Sequence, residues 1–182
     1  ELSSYGRELA GNLGEKLDDT DFDIIFSSPL IRAYETASLI RGHRNIEIRR
    51  DKRLEEISFG VEEGTDYNTW NVPGSKYYPF FVKPEDYTPP EKGETIEELC
   101  KRTEDFVKSE IEKLYGQCDR VMIVAHGALN KGIMTYLEDL DLEHFWGERL
   151  QKNCEATVFE YDGKSWSMQS EEKKATPVSS WV

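Results

Sequence analysis

The chain has 182 residues, with 23 Lys and Arg against 36 Asp and Glu for a net charge of -13, and a length that fits one domain with a real core. A composition of 37% hydrophobic and 12% aromatic residues excludes general disorder. The charge argues against a nucleic-acid backbone or an anionic membrane surface as partner, but leaves room for a small anion in a locally basic pocket. No stretch approaches the roughly 18 apolar residues of a membrane span, and no signal peptide is visible. Cys100, Cys118 and Cys154 are odd in number and scattered, with no CxxC pair, and no N-x-S/T sequon occurs. They read as buried thiols in a reducing compartment, which makes a cytoplasmic location the expectation.

Leu9, Leu13 and Leu17 recur every four residues with Ala10 beside them, which predicts an amphipathic helix over about 4–17. Phe22 to Phe26 (FDIIF) is a short apolar run, the pattern of a strand covered on both faces. Ser28-Pro29 follows at once; Ser as N-cap and Pro at the first position predict a helix from there to about Arg41, before Gly42. Ile46 and Ile48 alternate with charged residues as a weak strand. Residues 51–94 are irregular and hold five prolines together with Trp70, Tyr77, Tyr78, Phe80, Phe81 and Tyr87. So many rings predict a packed surface subdomain, with 64–94 as a lid, inside a single domain over 1–182.

Thr95 to Glu98 is a capping box, and Ile96, Leu99, Thr103, Phe106, Ile111 and Leu114 keep helical spacing to Gly116. Val121 to Ala125 (VMIVA) is a second buried strand, followed by a helix marked by Leu129, Ile133, Met134 and Leu137. Ala156–Tyr161 and Lys164–Met168 flank Asp162-Gly163 as a hairpin. The alternation of helices and strands predicts an α/β fold, with a mostly parallel central sheet and helices on both faces.

Ligands of such sheets bind outside the carboxyl ends of the strands. Two strand ends carry suitable residues. Ser27-Ser28-Pro29-Leu30-Ile31-Arg32 sets a guanidinium near a helix N-terminus, the outline of an anion site. Ala125-His126-Gly127 sets an imidazole at the top of the other strand, with Gly127 allowing close backbone approach and fresh helix N–H groups behind it. The loop Leu54 to Gly60, with Glu62-Glu63-Gly64 behind it, offers carboxylic acids that could donate a proton. Gly163-Lys164-Ser165 has Val158 where a P-loop needs its first Gly, and it falls in a hairpin turn. His43, His126 and His144 lack ligand spacing, so no metal site is expected. Asp18-Asp19 and Glu171-Glu172 read as surface charge.

Together, five segments in order resemble the histidine phosphatase superfamily, the group of the cofactor-dependent phosphoglycerate mutases and many small phosphatases. They are Leu2 to Ala10, Ser27 to Ala33 with Glu35-Thr36-Ala37, Leu54 to Gly64, Pro89-Pro90 through Gly93-Glu94-Thr95, and Val124 to Gly127. The resemblance implies a phosphoglycerate mutase-like fold and a metal-independent phosphatase without cofactor. The enzyme would act on a small phosphorylated metabolite through a phosphohistidine intermediate. It implies that Arg32, His126 and Gly127 bind the phosphoryl group and that Glu56, counted four back from Gly60, is the acid, with Glu55 as the other candidate. The family's nucleophile lies in an Arg-His-Gly motif on a first strand upstream of the Leu2 segment, and that motif is absent from this chain. Either a preceding segment carries it or this is a variant without it; the expectation is a short N-terminal peptide upstream of Glu1, because a buried strand of five or six side chains at roughly 1.5–3 kcal/mol each rivals the whole net stability of about 5–15 kcal/mol. A non-catalytic phospholigand-binding or interaction module and a phosphoglycerate mutase are the other functions considered. The substrate and the oligomeric state are not legible.

Overall fold

The computed structural model describes residues 1–147 and 151–169. Three strands form a parallel sheet in the order β2 (Glu47–Arg50), β1 (Ile24–Ser27), β3 (Val121–Val124), with Ile24 opposite both Glu47 and Val121. β1 is the central strand and all four of its residues are buried, as a continuous apolar run requires. Alternation turns Ile24 and Phe26 to one face and Ile25 and Ser27 to the other.

On the face of Ile25, α2 (Ile31–Arg41) packs on the sheet and α1 (Ser4–Lys16) packs on α2, burying Leu9, Ala10 and Leu13 with Ala33, Ala37 and Ile40. Gly14 makes that crossing possible, since a side chain there would begin 2.9 Å from the Leu39 carbonyl oxygen. On the other face, α4 (Ile96–Phe106) and α5 (Gly127–Leu137) bury Leu99, Phe106, Leu129 and Ile133 against Ile24 and Phe26. Phe26 and Phe106 meet edge to face, 5.4 Å between centroids. The architecture is thus α/β with helices on both faces of a parallel sheet.

The Thr95 capping box forms as the sequence predicts: Thr95 Oγ1 accepts the Glu98 N–H (3.1 Å) and Glu98 Oε2 accepts the Thr95 N–H (2.8 Å). The helical path then widens into a π turn at Val107–Ile111 and tightens into a 3-10 turn at Glu112–Leu114. The hairpin is shorter than its sequence signal, with β4 (Phe159–Tyr161) antiparallel to β5 (Trp166–Met168). The Glu171-Glu172 pair lies outside the described residues.

Within 64–94 the chain makes 3-10 turns at Tyr67–Thr69 and Pro84–Asp86 and one four-residue helix, α3 (Pro79–Val82). Phe80 gathers this segment. Its ring lies 4.9 Å from Tyr87, 5.5 Å from Phe59 and 5.0 Å from Trp146, so the aromatics bind the segment to the body.

Three expectations need correction. The Ser28-Pro29 pair predicts a helix starting at once, yet α2 starts at Ile31 with Leu30 as its N-cap. Pro29 disfavours helical backbone at Ser28, and the Ser28 N–H extends the sheet by donating to the Val124 carbonyl (3.0 Å). VMIVA reads as fully buried, yet β3 is only half-buried throughout, because β1 flanks one edge and no strand pairs with the other among the described residues. The three cysteines are free and part-exposed rather than buried, although burial still pushes the Cys100 thiol up to about 11.

Candidate active site

The carboxyl ends of β1 and β3 lie side by side, so the residues that follow them meet. Ser28 is fully buried, and its Oγ stands 2.8 Å from His126 Nε2. On the other side of the ring, Arg32 Nε donates to His126 Nδ1 (3.2 Å). An arginine Nε–H is always a donor, so Nδ1 must accept, and the neutral imidazole carries its proton on Nε2, directed at Ser28 Oγ. Burial of the ring, then the nearby charges of Arg32 and Arg102, hold His126 down to about 4 from its ordinary 6.5. The site therefore holds a neutral histidine beside a guanidinium. Arg32 is exposed and, among the described residues, forms no ion pair with a carboxylate.

The N-termini of two helices open on this region. The Ile31 and Arg32 N–H groups of α2 and the Gly127 N–H of α5 meet no acceptor among the described residues. The next two N–H groups of α5 are not free, contrary to the sequence expectation. Leu129 donates to Glu56 Oε1 (2.9 Å) and Ala128 to Glu56 Oε2 (3.3 Å). Glu56 thus caps α5 from a distant loop, satisfying two N–H groups of its first turn. Its Oε2 lies 3.9 Å from where a side chain on Gly127 would begin, so glycine leaves open the space between the carboxylate and the turn after His126. Glu55 makes no hydrogen bond from its carboxylate among the described residues. Arg32, His126, Gly127 and Glu56, picked from three separate segments, therefore stand around one region. No group of three or more metal-ligating side chains occurs among the described residues.

Two contributors carry no sequence signal of their own. Ser28 reads as a helix cap, and only the fold turns it to the imidazole. Arg102 reads as one more surface charge on a polar helix, yet it lies beneath the Glu56 loop. An acidic residue directly before a capping box, Glu94, is the one clue to it in the sequence.

An arginine and free helix N–H groups at the carboxyl end of a parallel sheet are the features with which α/β proteins meet small anions. The histidine phosphatase superfamily (branch 1) matches residues 1–173. A putative phosphoserine phosphatase 2 of Hydrogenobacter thermophilus is 30% identical, over 90% of this chain and 79% of its own length. A 2,3-bisphosphoglycerate-dependent phosphoglycerate mutase of Cytophaga hutchinsonii is 32% identical, over 79% of this chain and 68% of its own. Among solved structures, Bacillus stearothermophilus YhfR superposes with a TM-score of 0.84 at 31% identity, covering 93% of this chain and 83% of that one. The chain belongs to the histidine phosphatase superfamily and is an enzyme of that type.

Proposed function

We propose that this protein is a metal-independent phosphomonoesterase for small phosphorylated metabolites, working through a phosphohistidine. The observation that carries the reading is the convergence of Arg32, His126 and Glu56 on one region beside free helix N–H groups. Arg32, the Gly127 N–H and His126, which takes a proton from solvent once the dianion offsets the charge of Arg32, hold the phosphoryl oxygens, where a phosphoryl-transfer transition state spreads its charge. A histidine nitrogen attacks phosphorus; the bond to the leaving oxygen breaks, and that oxygen takes the proton of Glu56. Water then attacks the phosphohistidine, Glu56 takes back a proton, and orthophosphate leaves. His43 and His144 are exposed away from the cluster and His126 is engaged on both ring nitrogens, so the attacking histidine is expected upstream of Glu1. Among the described residues no strand pairs with the outer edge of β3, and a parallel strand there would end beside His126, which supports this.

The chain forms one domain over 1–182, with 64–94 as a lid that covers the site and selects the substrate. No helix among the described residues is long and apolar enough to cross a membrane. Three free cysteines support a reducing, cytoplasmic setting.

The test is turnover of an aryl phosphate by the complete gene product in excess chelator. Activity is expected to persist there and to be lost in Arg32→Ala and His126→Ala. Abolition by chelator with rescue by a divalent cation, or full activity in both variants, would overturn the reading. Similarity to a phosphoglycerate mutase favours a second reading, in which a retained bisphosphate returns the phosphoryl group to a monophosphoglycerate. Mutase turnover exceeding hydrolysis when a bisphosphate is added would select it.

A further inference from the structure

We propose that Arg102 and Glu94 are positioning residues that hold Glu56 at the N-terminus of α5. The inference rests on the reading of Glu56 as the acid and goes beyond it by naming what fixes that group.

Glu56 sits on a loop without regular structure, so something must fix its backbone. The sequence places Glu94 directly before the Thr95 capping box, which anchors it to the first turn of α4. Arg102, later on the same helix, forms a two-pronged pair with it: Nε donates to Glu94 Oε1 (2.6 Å) and one terminal nitrogen to Oε2 (2.8 Å). The remaining donors reach the acid loop. One terminal nitrogen donates to the Arg53 carbonyl (2.6 Å) and the other to the Glu56 carbonyl (3.3 Å). A planar guanidinium thus spans the main chain from three residues before the acid to the acid itself, which a lysine cannot reproduce.

Glu94 works on the far side. Its N–H donates to the Ser58 carbonyl (2.8 Å), and its Oε2 also accepts the Ser58 N–H (3.4 Å). The side chains of the pair are only 22% and 17% exposed, so water competes weakly for them. Leu54 and Ile57, both buried, pin the same loop to the core. With its backbone held on both sides, Glu56 has its carboxylate delivered to the Ala128 and Leu129 N–H groups. Arg102 also lies close enough to His126 to help keep that imidazole neutral.

The test uses Arg102→Met, Arg102→Lys and Glu94→Gln in the complete gene product, each checked for a folded spectrum. Two phosphomonoesters are compared, one with a nitrophenolate leaving group that needs no proton and one with an alkoxide that does. If the pair positions the acid, kcat on the alkyl ester falls on the order of 10²-fold, while the nitrophenyl ester changes only a few-fold. In a Glu56→Gln background the same substitutions then cost nothing further on the alkyl ester. Equal losses on both esters, or no loss on either, overturn the proposal. The acid reading fails separately, if Glu56→Gln itself spares the alkyl ester. In that event the amide resonances of Ala128 and Leu129 decide the positioning claim alone. Their shift on protonation of Glu56 should vanish in Arg102→Met, and its persistence overturns the claim. Should Arg102→Met not fold, Glu94→Gln and Arg102→Lys carry the same readouts.

Discussion

Replacing Arg32 by Ala separates two effects that have opposite signs. Arg32 Nε lies 3.2 Å from His126 Nδ1, and its charge is one cause, after burial, of the imidazole's depression to about 4. Two unit charges ~4 Å apart interact by ~4 kcal/mol at an effective dielectric of ~20. Arg32 is exposed, however, so solvent screening leaves about 1 kcal/mol, close to one unit on the pH scale. His126 in Arg32→Ala is therefore expected to titrate about one unit higher, still held low by burial. Phosphate binding moves the other way. A charge-assisted hydrogen bond to the dianion is worth about 1.5–3 kcal/mol, so the Kd for orthophosphate should rise about 10- to 150-fold. Calorimetry with orthophosphate and NMR titration of the His126 ring measure the two quantities. A variant that binds phosphate as tightly as the parent while its imidazole titrates higher would refute the reasoning, leaving Arg32 a neighbour of the histidine and no more.

Gly60 has φ +53, and a Cβ there would lie 2.1 Å from the Glu91 carbonyl oxygen, so Gly60→Ala should cost about 3 kcal/mol or more in chemical denaturation. A loss below about 1 kcal/mol would mean that the two loops are not in contact. Folded His126 stays neutral down to about 4, whereas the unfolded chain takes up that proton near 6.5. Between those values the unfolded state binds more protons, so stability falls as pH drops through the window, by about 3 kcal/mol in all. His126→Gln should flatten that limb of the urea midpoint against pH; an unchanged limb would assign the loss to other groups. Phe106 is fully buried against Phe26, so Phe106→Ala should cost about 3–5 kcal/mol, and a smaller loss in urea denaturation would place the core elsewhere.

The elements of the fold follow from local patterns. FDIIF becomes β1, buried along its whole length, because a continuous apolar run is stable only where both faces are covered. Thr95 to Glu98 forms its reciprocal cap because both partners lie within one turn. The strand-end rule likewise leads to Arg32 and His126, since parallel strands bring their carboxyl ends to one edge of the sheet. Where the outcome hangs on a neighbour distant in sequence, local pattern is silent. Ser28 has the residue type of a helix cap but becomes the partner of an imidazole 98 positions away. Glu56 and Glu55 are equivalent in composition, and only the approach of α5 distinguishes them.

The sequence by itself determined the order of strands and helices, the two turns that carry Arg32 and His126 and the likeness to a family of phosphoryl-handling enzymes. Each of these rests on the spacing of a few adjacent residues. The tertiary structure alone decided which carboxylate caps α5, why the His126 imidazole is neutral, and that Arg102 lies under the acid loop. Those properties depend on desolvation and on charges and donors a few ångströms away in space but many positions apart along the chain.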